Sequence, residues 1–345
     1  MLVLRADGSA AIGSGHVMRC LALAQAWHDA GGAVTLVSAG LSGELRYRLT
    51  QEFMTLIDLD QPPSSSQDAE ATAQHALRAG AQWLVADGYG FGAEYQRVIK
   101  QAGLKLLVLD DYGHAEHYYA DIILNQNLDA DRSLYNACEP ATRLLLGTTY
   151  ALLRREFLRQ ADRPRSIPQI ARCVLVNFGG SDPHDLAART IRAIRTIEEP
   201  VLETTVVAGD DQLQERLAPL VGDGPQRIEV LGHVSKMPEL MASADLAIAA
   251  AGGSSWERAL LRLPSLVVIA AENQRSIARA LDRVGAVVEL GWWNDLRDDG
   301  LAGSIRETAL DAPLRRRQAE AAGRLVDGLG AGRVVVAMTC DDAMK

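Results

Sequence analysis

The residues with the most chemical capacity in this 345-residue sequence lie near its start, where Arg5-Ala-Asp7 precedes Ile12-Gly-Ser-Gly-His-Val-Met-Arg19. The imidazole of His16 titrates near neutral pH, which suits a general base. Glycines around it allow close backbone approach, and the free N–H groups of a first helical turn suit an anion. Arg19 in that turn opposes the helix dipole, so a fixed carboxylate or anion nearby is needed to account for it. Helical spacing puts His16 and Arg19 on one flank, with Val17, Leu21, Ala24 and Trp27 as the buried stripe. Two readings stay open. One is a ligand-handling loop with His16 as base; the other is a turn with a helix-capping histidine and an Arg19–Asp7 salt bridge. A nicotinamide loop fits less well, because Gly13-x-Gly15-x-x-Met18 lacks the third glycine.

Four further pieces carry polar residues at the ends of apolar runs. Asp87-Gly-Tyr-Gly90 offers Asp87 and Tyr89 to a ligand, or is a glycine turn with a packed tyrosine. Phe178-Gly-Gly-Ser-Asp-Pro183 reads as a phosphate loop through Gly180 and Ser181, and equally as a helix cap with proline at the first helical position. In Ala250-Ala-Gly-Gly-Ser-Ser-Trp-Glu257, the N–H groups at Gly253, Ser254 and Ser255 face a diphosphate if the turn opens a helix. Glu257, one turn in, is placed to accept from both hydroxyls of a ribose or to complement the positive helix end. Asn273 and Gln274 follow another apolar run, and so does His233, which on its own reads as a loop histidine. The four cysteines are scattered, so neither a disulfide framework nor a zinc site is expected, and the absence of clustered ligands predicts no metal and no cofactor.

Short apolar runs alternate with stretches of helical periodicity, the pattern of parallel sheets covered by helices. Strands are predicted near 1–5, 34–38, 54–59, 83–87, 105–110 and 122–125, then near 172–177, 203–208, 228–231, 245–249, 265–269 and 286–289. Prolines and charges at 162–168 interrupt the pattern. The expectation is two Rossmann-like domains, 1–160 and 169–345, facing across a cleft, with a helical tail from about 300. With 48% hydrophobic and 23% charged residues the chain is of folded type, and its net charge of −9 gives no general attraction to nucleic acid or anionic membrane. No uninterrupted apolar run reaches the roughly 18 residues of a membrane span. The opening residues show no secretory-leader pattern, so a cytoplasmic protein is expected.

Taken together, the pieces resemble the UDP-2,4-diacetamido-2,4,6-trideoxy-β-L-altropyranose hydrolase family of pseudaminic acid biosynthesis. The resemblance rests on an ordered set over residues 1 to about 290. It comprises Arg5-Ala-Asp7, Ile12-Gly-x-Gly-His16-x-x-Arg19, Asp87-x-Tyr-Gly90, Asp110-Asp111, Ile123-Leu-Asn-Gln-Asn127, Tyr150-Ala-Leu-Leu-Arg154, Gly179-Gly-Ser-Asp182, Gly253-Ser-Ser-Trp-Glu257 and Asn273-Gln274. It implies the glycosyltransferase-B fold, with the nucleotide held mainly by the C-terminal domain and the sugar presented to the N-terminal one. It also implies metal-independent hydrolysis with inversion, His16 as the base and Tyr89 at the sugar. Arg154, Glu257 and Asn273 fall at nucleotide positions, while Arg5, Asp7, Gly15, Arg19 and Asp87 become substrate-binding candidates. Gly88 departs from relatives with a histidine there, and Trp292 and Trp293 match no family motif. The main alternative is a glycosyltransferase of the same fold; a nicotinamide-dependent oxidoreductase and a noncatalytic sugar-nucleotide sensor are the other classes. The expected partner is a UDP-sugar substrate, with no nucleic acid and no membrane.

Overall fold

Apolar runs such as Leu2-Val-Leu and Leu84-Val-Ala carry no polar alternation, so they are stable only as strands covered on both faces. All of them become parallel strands. The computed structural model describes residues 1–9, 12–180, 182–232, 234 and 236–340. The chain divides into a first unit, Met1–Arg155 with the segment from Gly328, and a second, Glu156–Asp327.

The first unit runs β1 (Leu2–Ala6), α1 (Gly15–Asp29), β2 (Val34–Ser38), α2 (Gly43–Gln51), β3 (Thr55–Asp58), α3 (Ser66–Arg78), β4 (Trp83–Asp87), α4 (Ala93–Gln101), β5 (Lys105–Leu109), β6 (Ile122–Asn125) and β7 (Arg143–Leu146). Its sheet has the order β3-β2-β1-β4-β5-β6-β7. Strand order reverses between β1 and β4, and the crevice beyond the carboxyl ends of such a pair is where open α/β sheets take ligands. Register sets Arg5 beside Ala86 and Ala6 beside Asp87, so the loop carrying His16 leaves the sheet next to Asp87.

After α5 (Arg155–Ala161), the second unit runs β8 (Cys173–Asn177), α6 (Leu186–Arg195), β9 (Glu203–Val207), α7 (Asp211–Leu217), β10 (Arg227–Leu231), α8 (Met237–Ser243), β11 (Leu246–Ala250), α9 (Ser254–Leu260), β12 (Ser265–Ile269), α10 (Arg275–Arg283), β13 (Val288–Trp292), α11 (Asp298–Leu310) and α12 (Ala312–Gly323). The order β10-β9-β8-β11-β12-β13 repeats the reversal, here between β8 and β11. Each unit is therefore a Rossmann-like doubly wound sheet, as the alternation predicted.

Three local features differ from the sequence reading. Strand β7 was not foreseen, because four residues at a sheet edge are too few to show a period. Residues 162–168 are fastened to the second unit: Arg165 donates to the carbonyls of Met241 (2.6 Å), Ala244 (2.5 Å) and Leu261 (2.6 Å), and burial lowers its pKa to about 10. Helix α13 (Gly330–Thr339), part of the helical tail that the sequence boundaries put with residues 169–345, belongs to the first unit. Its Val334 and Met338 are fully buried in one cluster with Leu21 and Leu23. That explains why α1 buries Cys20, Ala22 and Leu23 beyond the expected stripe: the sheet lies on one side and α13 on another. Gly330 permits the approach, since a Cβ there would lie 2.3 Å from the Ala151 carbonyl oxygen.

Met338→Ala removes a fully enclosed side chain from this contact. It should lower the stability of the first unit by about 2–5 kcal/mol, read as an earlier urea midpoint for its unfolding transition.

Candidate functional site

Helix α1 starts at Gly15 with no side-chain cap from Ser14, and His16 does not cap it either. Instead His16 Nδ1 lies 2.7 Å from Asp87 Oδ1, at the carboxyl end of β4. A carboxylate can only accept, so Nδ1 carries the proton and Nε2 is the basic nitrogen of the neutral ring. Nε2 makes no hydrogen bond among the described residues. The His16 side chain keeps 13% of its surface exposed, against 0% for that of Asp87.

Arg19, one turn on, donates to Asp87 through Nε (2.9 Å) and Nη2 (2.6 Å) and to Asp111 Oδ1 through Nη1 (2.7 Å). The Arg19–Asp7 salt bridge of the simpler reading does not form. Tyr89 Oη donates to Asp111 Oδ2 at 2.7 Å, and Asn127 Nδ2 reaches Asp111 Oδ1 at 3.2 Å. The Tyr89 ring stands edge-on to His16 at 4.9 Å, and the tilted ring of Tyr112 lies 5.2 Å from it. Burial would raise the Asp87 pKa, but Arg19 and His16 hold it down to about 2. Burial would also lower that of His16; the charge and hydrogen bond of Asp87 outweigh it, and the pKa lies above the ordinary 6.5. The result is a base that is oriented, strengthened and open on one nitrogen.

Other candidates have structural work as well. Arg5 is wholly buried: Nε and Nη2 clasp Asp68 at 3.0 and 2.6 Å, and Nη1 holds Asp7 at 2.6 Å. Asp7 also accepts from Ser38 Oγ and Ala39 N, so this pair ties β1 to its neighbours, and the enclosed Arg5 does not face a sugar. Asp87 likewise has both oxygens taken, by His16 and Arg19. Gly15 has open space where a Cβ would stand. At Gly88 a Cβ would lie 2.9 Å from the Phe91 ring, which accounts for glycine at that position.

In the second unit, the turns after β8, β11 and β12 share the carboxyl edge of the sheet. Gly180 packs so closely on Gly209 that a Cβ on the latter would meet it at 2.1 Å. Asp182 caps α6 by accepting from Leu186 N (3.0 Å) and Ala187 N (2.8 Å); the helix starts three residues later than Pro183. Ser255 is buried and, with Ser254, receives the guanidinium of Arg258, a residue the sequence reading passed over. Arg258 is itself buried, and that lowers its pKa to about 10. Gln274 Oε1 accepts from Ala270 N (3.0 Å), shaping the turn beside the exposed Asn273. Gly253 and Glu257 sit at the start and in the body of α9, and Arg154 lies in the first unit just before α5. Ser181 and His233 lie outside the described residues. Trp293, outside every motif, stacks on His184 at 3.8 Å, and Arg275 covers Trp292. Among the described residues no group of three or more His, Cys, Asp or Glu converges as a metal site would require, and no helix is long and apolar enough to cross a membrane.

The chain is 24% identical over 290 residues to the UDP-2,4-diacetamido-2,4,6-trideoxy-β-L-altropyranose hydrolase of Campylobacter jejuni, covering 84% of this chain and 98% of that one. Spore coat polysaccharide biosynthesis protein SpsG of Bacillus subtilis is 27% identical over 254 residues, 73% of this chain and 74% of its own. An uncharacterized protein of Methanocaldococcus jannaschii is 23% identical over 275 residues, and the chain spans only 55% of its length. No family model matches. Among solved structures, MurG of Acinetobacter baumannii aligns at TM-score 0.69 with 16% identity over 99% of both chains. A UDP co-structure of MnaA from S. aureus aligns at 0.70 with 12% identity over 100% of this chain and 97% of that one. A glycosyltransferase from Rickettsia africae aligns at 0.63 with 12% identity, over 100% and 98%. The fold is of the glycosyltransferase-B type. The family resemblance read from the motifs thus recurs along most of the chain.

His16 binds its proton more tightly folded than unfolded, so its stabilising effect is complete below 6.5 and is lost as pH rises through the raised folded value. The stability difference between wild type and His16→Gln, from urea denaturation, should therefore shrink as pH rises from 6.5 through the raised folded value. A difference that grows over that range contradicts the Asp87–His16 assignment.

Proposed function

We propose that this protein hydrolyses UDP-2,4-diacetamido-2,4,6-trideoxy-β-L-altropyranose to UDP and the free sugar, in pseudaminic acid biosynthesis. The observation that carries the reading is the His16–Asp87 pair at the switch point of the first sheet. One imidazole nitrogen is committed to a buried carboxylate and the other is an open acceptor. That arrangement suits extraction of a proton from water. Similarity to the Campylobacter hydrolase over 98% of its length supports the substrate class, and the MnaA structure with UDP supports the nucleotide.

In this mechanism a water at His16 Nε2 yields a proton to the ring as its oxygen attacks the anomeric carbon. The C1–O bond breaks, its electron pair passes to the β-phosphate oxygen, and the anomeric centre inverts. UDP is stable as it leaves, so neither a protonating acid nor a second carboxylate at the sugar is required. The imidazolium forms against Asp87, which stays ionised and supports the developing charge. Tyr89 is assigned to the sugar. Arg154, Glu257 and Asn273 are assigned to the nucleotide, with the backbone at Gly180 and Gly253 and the Ser254 hydroxyl. Arg258 beneath the β11–α9 turn contributes buried positive charge on that side, and we infer that no metal is needed.

A transferase using the same base on an acceptor hydroxyl is the second reading, favoured by the fold shared with the Rickettsia glycosyltransferase. NMR of the UDP-diacetamido-altrose substrate with the enzyme, without acceptor and with EDTA, separates the two. Hydrolysis releases UDP and the inverted sugar under those conditions, and His16→Gln lowers kcat by about 10²–10⁴. Strict dependence on an acceptor would sink the hydrolase reading, and full turnover by His16→Gln would sink the base.

A further inference from the structure

The His16 cluster has a charge imbalance. Asp87 and Asp111 share a single guanidinium, that of Arg19. With His16 neutral, the four groups carry one negative charge in excess; with His16 protonated, two anions face two cations. The neighbouring acids at the end of β5 are used differently. Asp110 is fully buried and accepts from Tyr118 Oη, Tyr112 N (2.8 Å) and Gly113 N (2.9 Å), which shapes the turn. Asp111 points to Arg19, Tyr89 and Asn127, all donors on the His16 side. Donors reach both of its oxygens.

We infer that Asp111 is a positioning residue of the proposed hydrolysis, anchoring Arg19 and Tyr89 and supplying the second negative charge that proton uptake by His16 balances. Without it, Arg19 would lie wholly on Asp87 and neutralise the carboxylate that His16 depends on. With it, the guanidinium is divided between two acids, and Asp87 keeps charge for the imidazolium. The titratable groups around the ring are Arg19 and Cys20 on α1, Asp87 and Tyr89 from the β4 end, and Asp111, Tyr112 and His114 from the β5 loop. Arg19 opposes protonation of His16, whereas Asp87 and Asp111 favour it.

The inference rests on His16 as the base, and its test has a readout that does not. Imidazole NMR titration of the full-length, ligand-free protein follows His16 in wild type, Asp111→Asn and Asp111→Glu. In Asp111→Asn, His16 titrates lower by about 0.5–1 pH unit. The acid limb of kcat/KM moves the same way, and the plateau falls several-fold. Asp111→Glu keeps the charge and titrates near wild type. An unmoved His16 in Asp111→Asn, or an equal shift in both variants, overturns the proposal. If Asp111→Asn does not fold, Asp111→Ser takes its place with the same expected shift. Loss of the base reading shows separately, as full turnover by His16→Gln while the titration shift persists.

Discussion

The guanidinium of Arg19 is the interaction on which the first site depends. It joins the first turn of α1 to the ends of β4 and β5, and it is what allows Asp87 to be buried as an anion. An uncompensated carboxylate with no exposed side-chain surface would be strongly destabilising, and the imidazole alone, neutral once it loses its proton, would not compensate it. Arginine suits the task better than lysine would, because its planar fork meets two oxygens of Asp87 and still reaches a second acid. The orientation of His16 is a consequence: once Asp87 is fixed by Arg19, one of its oxygens faces Nδ1.

Buried arginines do different work elsewhere. Arg5 is neutralised by Asp68 and Asp7 and locks β1 to α3 and to the end of β2. Arg165 closes on three carbonyls and pins the start of the second unit. Arg258 bonds to hydroxyls and a carbonyl. Each solves the same problem of a charge removed from water, by a carboxylate in one case and by backbone or hydroxyl acceptors in the others. The partner decides whether positive potential is cancelled or remains to act on a neighbour.

Much of the architecture was legible in the sequence. Twelve of the strands had been placed by apolar runs bounded by turns, and the missing one, Arg143–Leu146, is a four-residue edge. The alternation of strand and helix carried the doubly wound order with it, because parallel strands need crossover helices and these have a fixed hand. His16, Arg19, Asp87 and Tyr89 were all singled out, and the structure brings them together. Asp111 and Asn127 were quoted as parts of motifs without roles, since a residue at a strand end has no visible partner until the strands are ordered. Arg5 and Asp7 were substrate-binding candidates through the family resemblance; burial shows that Arg5 faces the protein interior.

The sequence by itself determined the elements and singled out the histidine of the first loop, because these depend on residue type and on local spacing. Tertiary structure decided which charges pair. Arg19 meets acids 68 and 92 residues away and leaves Asp7 to Arg5, while Arg5 reaches Asp68 63 residues on. It also decided that the last helix covers α1. Such pairings are set by strand order and by which faces are already covered, and neither leaves a periodic trace in the chain. The loop from Ile12 to Arg19 could be recognised from its residues; that its histidine is held by Asp87, on a charge shared with Asp111, required the sheet.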